Sequence, residues 1–507
     1  MNLKLFSTLA AATFLGYGSA CAQQSQSRPN IIVFLVDDMG WQDTSLPFWD
    51  KKTRYNEMYE TPNMERLASQ GMMFTQAYAC PVSSPTRCSL MTGMNMARHR
   101  VTNWTLERDK TTDGKSDVVN LPEWNYNGIA QAEAVAHTAV AKSFVQVLKD
   151  SGYHTIHWGS IDTPGENPCH FGFDVNITGT AAGGLASYLS EFNYGHDRDG
   201  KPNSLMAIPG LEKYWGTGTF VTEALTKEAI SSLDKAKKYG QPFYLYMSHY
   251  AVHIPIDKDM RFFPKYVRKG LSDKDAAYAS LVEGMDKSLG DIMDWLDKND
   301  EAKNTIIVFL GDNGGLACNP KFREGPLFTQ NSPLKSGKGS LYEGGIRVPF
   351  IVKWGDKVKA GTRNDNSIII EDLYPTILDM AGVKQYKVPQ TIDGMDIVPL
   401  MEGKSDKNLV NRSLVWNFPN IWDGYGPGVN LNCAIRRGDW KLIYYYGTGR
   451  KELFNIPQDI GENNDLSAQN PAKVKELSAI LGKTLREMKA QRPTFKATGE
   501  PCKWPDE

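Results

Sequence analysis

An excess of charge of either sign is absent from this 507-residue sequence: 57 lysines and arginines stand against 58 aspartates and glutamates, for a formal net charge of -1. That balance gives no electrostatic reason to expect nucleic acid as the main partner, although a local basic cluster can still bind a small anion. Cysteine is scarce, with seven residues and neither a CxxC pair nor a repeated spacing. A disulfide-held scaffold and a zinc ribbon are therefore not expected. Past the N-terminal stretch no apolar run is long enough for a transmembrane segment. Repeats, heptads and low-complexity segments are missing too. What is there is 41% apolar and 23% charged residues with Gly 45 and Pro 27, enough for a large core in a loop-rich α/β protein of about two to four domains.

The N-terminus reads as an export signal. Lys4 precedes the mostly apolar, Ala-rich stretch Leu5 to Tyr17, and Ala20-Cys21-Ala22 has small residues at a cleavage spacing, so residues 1–22 form the expected signal peptide. Gly18-Ser19-Ala20-Cys21 also resembles a lipobox, with Gly18 where a larger aliphatic is usual. A lipid anchor at Cys21 is the alternative. The expected location is the periplasm, or an outer membrane if Cys21 is lipidated. The six remaining cysteines permit disulfides there, without favouring a pairing.

Organisation follows from apolar runs. Asn30 to Val36 is continuously apolar after its first residue and ends in Asp37-Asp38-Met39-Gly40, as a buried parallel strand would. Pro242 to Ser248, Asn304 to Leu310 and Val348 to Trp354 are further strand candidates. Helices are expected after Thr61-Pro62, over Ala141 to Lys149, over Asp273 to Asp297 (Leu281, Met285, Leu289, Ile292 and Leu296 at helical spacing), and near Glu371 to Met380. Residues 28–400 make up this α/β body. Over 401–507 the pattern changes to short antiparallel strands between Cys433 and Asn455 and a charged helix from Pro471 to Arg492, a smaller C-terminal α+β domain.

Two strand ends carry oxygen ligands, Asp37-Asp38 and Asp312-Asn313. Parallel packing would bring them to one sheet edge, where three carboxylates and an amide oxygen suit a hard cation such as calcium or magnesium. Either pair alone reads equally as turn or cap residues. In Cys80-Pro-Val-Ser83-Ser84-Pro85-Thr86-Arg87-Cys88-Ser89-Leu90-Met91-Thr92-Gly93 the polar Ser83 stands four residues before Arg87. One helical turn would set the guanidinium beside it; the plainer reading is a serine-rich helix cap.

Ser83-x-Pro-Thr-Arg-x-x-Leu-x-Thr-Gly93 resembles the signature of the formylglycine-dependent (type I) sulfatases in its serine form. The likeness extends to the Asp37-Asp38 strand end, Thr61-Pro62-Asn63, Asp312-Asn313-Gly314-Gly315, Gly337-Lys338-Gly339 through Gly345, and Gly438-Asp439-Trp440-Lys441-Leu442. The chain resembles the carbohydrate sulfatases of Bacteroidetes type. The resemblance implies an alkaline-phosphatase-like fold: a large mixed central sheet flanked by helices, and a smaller domain on an antiparallel sheet. It implies that Ser83 is oxidised to 3-oxoalanine (Cα-formylglycine) by a formylglycine-generating maturation enzyme acting on the unfolded chain. One calcium ion (Ca2+) would be held by Asp37, Asp38, Asp312, Asn313 and the modified Ser83. Arg87 and Lys338 would meet the sulfate, and His253, in His253-Ile254-Pro255, would protonate the leaving oxygen. The substrate implied is a sulfated saccharide, with Trp104, His170, Trp215, Trp422 and Tyr425 as candidate cleft walls. One departure stands out. Where the family usually shows Gly-Lys-x-His, this chain reads Gly159-Ser160-Ile161-Asp162-Thr163-Pro164-Gly165. Two readings stand beside the enzyme: a phosphatase or phosphonate hydrolase of the same superfold, and a weakened sulfoglycan-binding protein.

Overall fold

The computed structural model describes residues 28–131, 135–159, 168–180, 182–319 and 321–507. The expected signal peptide with Cys21, and the Ser160 to Gly165 segment that replaces the family's Lys-x-His, lie outside the described residues.

In chain order the central elements are β1 (Asn30–Val36), α1 (Pro62–Gln70), β2 (Met72–Phe74), α2 (Ser83–Thr92), α3 (Phe144–Asp150), β3 (His154–Gly159), β4 (Val175–Ile177), α4 (Val221–Tyr239), β5 (Phe243–His249), α5 (Asp273–Lys298), β6 (Thr305–Gly311), β7 (Phe350–Lys353), β8 (Thr362–Asn364) and α6 (Leu373–Met380). The eight strands form one mixed sheet in the order β8-β2-β7-β6-β1-β5-β3-β4. β1 lies at its middle, parallel to both β6 and β5, whereas β7 runs antiparallel to β6 and to β2. Because helices cover both faces, successive residues of β1 serve opposite cores. Ile31, Val33 and Leu35 join one hydrophobic cluster; Ile32, Phe34 and Val36 join the other. That two-sided burial is why the run is continuous rather than alternating.

Sequence boundaries shift where a local contact wins. α3 begins at Phe144 because the Ser143 side chain accepts from Gln146 N and caps it. The strand expected over Val348 to Trp354 is split at Pro349, which has no N–H to give: Arg347–Val348 pair with Tyr78 and Ala77 in a small separate sheet, and Phe350–Lys353 enter the main one.

The C-terminal strands β9 (Ser413–Phe418), β10 (Asn432–Arg437), β11 (Trp440–Tyr445) and β12 (Lys451–Asn455) form an antiparallel meander. α7 (Pro471–Glu487) lays Leu477, Leu481 and Leu485 against Val415, Cys433, Ile435 and Leu442 of that sheet. α7 stops five residues before Arg492: Lys489 turns left-handed (φ 54), and its carbonyl is held by the Arg100 guanidinium. Among the described residues no helix is long and apolar enough to cross a membrane.

Candidate active site

Register puts the chemistry at one edge. Val36 is level with Gly311 of β6 and His249 of β5, so Asp37-Asp38 and Asp312-Asn313 leave the sheet side by side. Backbone bonds lock the three chain ends together: Asp37 N to Ala251 O (3.0 Å), Val252 N to Asp37 O (2.6 Å) and Asp312 N to Val36 O (3.1 Å). Asp38 is left-handed (φ 60), an unfavourable conformation for a residue with a Cβ. Its N–H donates to Asp312 Oδ1 at 3.1 Å.

α2 enters the cluster end-on. Ser83 is its first residue and is 5% exposed. Ser83 Oγ lies 3.0 Å from Asn313 Oδ1 and 3.3 Å from Asp37 Oδ1, one hydroxyl proton facing two acceptors. Arg87, one turn on, donates to Asp37 Oδ2 at 2.9 Å and Asp312 Oδ2 at 3.1 Å, and also reaches Ser248 Oγ. The guanidinium thus joins the two carboxylates, and it shares Asp37 with Ser83. Lys338 Nζ sits 2.7 Å from Asp38 Oδ1, which also accepts from Asn313 Nδ2 at 2.8 Å. His253 Nδ1 lies 2.8 Å from Ile254 O. A carbonyl only accepts, so Nδ1 carries hydrogen and Nε2 faces the site, 3.8 Å from Asp38 Oδ2. The structure therefore gathers Asp37, Asp38, Ser83, Arg87, His253, Asp312, Asn313 and Lys338 in one buried cluster.

Its electrostatics are unbalanced. Burial, then Asp312 and Asp38, push the Asp37 carboxyl well above the usual range against the pull of Arg87 and Lys338. Burial acts on Asp38 in the same direction, but Lys338 and His253 outweigh it and its pKa falls. His253 is lowered by burial and by Lys338. Asp38 Oδ2 is buried without a hydrogen-bond partner, a desolvated carboxylate oxygen that only a cation or a donor from outside would satisfy. One ligand atom from each of Asp37, Asp38 and His253 falls within 4.8 Å of the others. Asp312 is adjacent, with its oxygens turned to Arg87 and the Asp38 N–H. An oxygen-rich donor set with an unsatisfied oxygen fits a hard divalent ion.

Above the cluster opens a cleft of about 190 Å³, with Ser83, Asp38, His253 and Lys338 at its floor. Trp104 and Trp422 form walls, as the sequence suggested, together with Met206, Leu316, Phe322, Asn319 and Asp423, which it did not. The other suggested wall residues are elsewhere. Trp215 stacks on His196 at 5.6 Å, Tyr425 meets Phe328 edge-on at 5.7 Å, and His170 is exposed on a short turn. His157 is buried on β3, 2.8 Å from Asn176 Oδ1, and does not line the cleft. The residues missed lie on irregular loops; the aromatic and glycine run Trp422-Asp423-Gly424-Tyr425-Gly426 was the one signal of a site there.

Residues 29–383 match the family model described as Sulfatase, and residues 337–491 the model described as N-sulphoglucosamine sulphohydrolase, C-terminal. A protein named Sulfatase from Formosa agariphila is 30% identical, covering 90% of this chain and 87% of its own. N-acetylgalactosamine-6-sulfatase of Mus musculus is 28% identical over 92% of this chain and 89% of its own. Among solved structures, Ps i-CgsB in complex with k-i-k-neocarrahexaose is 27% identical with a TM-score of 0.70, covering 90% of this chain and 93% of that one.

Proposed function

The chain belongs to the sulfatase family, and from that premise we propose that it is an exported carbohydrate sulfatase whose Ser83 is matured to formylglycine and whose aspartate cluster holds one calcium ion. Sulfate ester hydrolysis on carbohydrates follows from the family and its relatives; the modified serine and the metal are the finer proposal. One observation carries it: Ser83 Oγ stands between Asp37 and Asn313 at the floor of a tryptophan-walled cleft.

When present, the hydrated aldehyde supplies one hydroxyl to attack sulfur and a second whose collapse releases sulfate, and calcium supplies positive charge for the sulfate oxygens. Asp37, Asp38, Asp312, Asn313 and residue 83 would hold the ion. The chain's own groups do the rest. Asp37 Oδ1, 3.3 Å away, is the carboxylate oxygen nearest the residue 83 oxygen. Arg87 and Lys338 place two fixed cations beside three carboxylates, and with a bound divalent ion the site is net positive, as a sulfate ester requires. Ile254 O accepts from His253 Nδ1 and so turns Nε2 toward the cleft. Nε2 must first take up a proton there, forming the imidazolium beside Asp38 Oδ2, before it can give one to the leaving sugar alcohol.

The test is to produce the chain with a formylglycine-generating enzyme, weigh the Ser83 peptide, and assay a panel of regiodefined sulfated monosaccharides. Expected are a peptide lighter by two hydrogen atoms and turnover of at least one sugar sulfate. Ser83→Ala should abolish turnover with the fold intact. Near-normal turnover by that variant, or an unmodified serine in fully active protein, refutes the assignment.

A further inference from the structure

We infer, resting on that sulfatase reading, that the cleft takes a sugar bearing a single sulfate and no other charge, and that Asp423 determines this specificity. The reacting floor contains charge of both signs, but the walls do not. Among the described residues lining the cleft, Lys338 is the only lysine or arginine, and it is paired with Asp38. The sequence between 160 and 167, and at 181 and 320, contains no lysine or arginine either. Lys321, next to Phe322, is exposed and is not a lining residue. A second sulfate or a uronate held within the cleft would therefore meet no lining lysine or arginine other than Lys338. It would meet a carboxylate.

The backbone that carries Asp423 is held on both sides. Trp422 N donates to Asn430 Oδ1 at 2.7 Å, and Asn430 Nδ2 donates to Gly424 O at 3.4 Å, so one amide side chain clamps both sides of residue 423. Gly424 lies so close to the Trp422 indole that a Cβ there would sit 2.1 Å from the ring. Tyr425 N then donates to Cys318 O, tying this loop to the wall that carries Asn319. Asn319 Oδ1 accepts from Lys321 N at 3.2 Å, which leaves its NH2 group as a donor. The apolar walls thus end in one exposed carboxylate, carried on a held backbone, and one amide donor. That pair suits the hydroxyls of an uncharged sugar lying on Trp422, since a carboxylate accepts two hydroxyl hydrogen bonds and repels an anion.

Galactose monosulfates and N-acetylgalactosamine monosulfates, each paired with the matching disulfate, are the probes. The matured enzyme should prefer the monosulfate at least about tenfold in kcat/KM, a preference that weakens as salt screens the exposed carboxylate. Asp423→Asn should raise KM for the monosulfate and bring the preference toward one; Asp423→Lys should reverse it. Calorimetry on Ser83→Ala protein, with and without Asp423→Asn, should show the same order in binding, independent of maturation. If the enzyme cleaves sugar sulfates but both Asp423 variants keep the wild-type preference, the inference is wrong and the sulfatase reading stands. If Ser83 is converted yet neither sugar sulfates nor an aryl sulfate is cleaved, the sulfatase reading itself falls, and this inference with it.

Discussion

Each residue of the cluster was identifiable by type, but its geometry was not. Helical spacing put Arg87 on the face of α2 that carries Ser83, yet spacing does not choose between partners on that face. Three desolvated carboxylates are the stronger attraction, and the guanidinium went to two of them. A different buried acid gives a prediction free of the reaction. Glu371 accepts from Asn95 Nδ2 at 2.7 Å, its second oxygen has no partner, and burial and then Asp372 push its pKa up to about 8 from 4.5. Between those two values the folded chain keeps a proton that the unfolded chain has released. Its contribution to stability is therefore lost as pH rises through that window. Glu371→Gln cannot titrate, so it should gain on the wild type by about 1.4 kcal/mol per pH unit across the window. Urea unfolding of both proteins over a pH series checks this; a difference independent of pH would contradict it.

Among elements, the best test is the segment that carries Lys338. Gly339 is left-handed (φ 88), its N–H donates to Pro81 O at 2.7 Å, and a Cβ on it would lie 2.2 Å from Trp422 Cε3. Gly438, between β10 and β11, is also left-handed (φ 55) but has open space around it. Gly438→Ala should cost only backbone strain, about 1 kcal/mol, and leave kcat/KM unchanged. Gly339→Ala should cost about 1 to 3 kcal/mol and, by moving Trp422 and Lys338, reduce kcat/KM at least about tenfold. Equal effects of the two substitutions on activity would show that the contact with Trp422 does not matter. At this scale the sequence was most legible where burial is two-sided, as in β1 and β6, whose uninterrupted apolar runs announce the strands that lead into Asp37 and Asp312. It was least legible on the cleft walls. Met206, Phe322 and Asp423 lie on loops without periodicity, and their position depends on distant contacts such as the Asn430 clamp.

For the whole molecule, sheet order decides what the cluster is worth. Chain ends from β1, β5 and β6 meet there with the N-terminus of α2, so a bound ion ties together segments far apart in sequence. An ion bound at a thousandfold excess over its dissociation constant adds about 4 kcal/mol to stability. Chelation should therefore lower Tm by on the order of 4 °C and abolish turnover, and calcium should restore both. Metal analysis should find one ion per chain. Two stoichiometric zinc ions, or a Tm indifferent to chelator, would favour the phosphatase-like alternative.

The burial of Ser83 also imposes an order in time. Asn313, whose side chain closes over the serine hydroxyl, is 230 residues further along the chain. At ordinary elongation rates that stretch takes about 10 to 50 s to make. During this interval the serine exists without the strand end that will cover it. On the proposed formylglycine reading, the maturation enzyme would therefore compete with synthesis and folding rather than with substrate. Chains that complete the sheet before meeting that enzyme would then be correctly folded yet inert, and the active fraction of a preparation would measure the outcome of that race and not the quality of the fold.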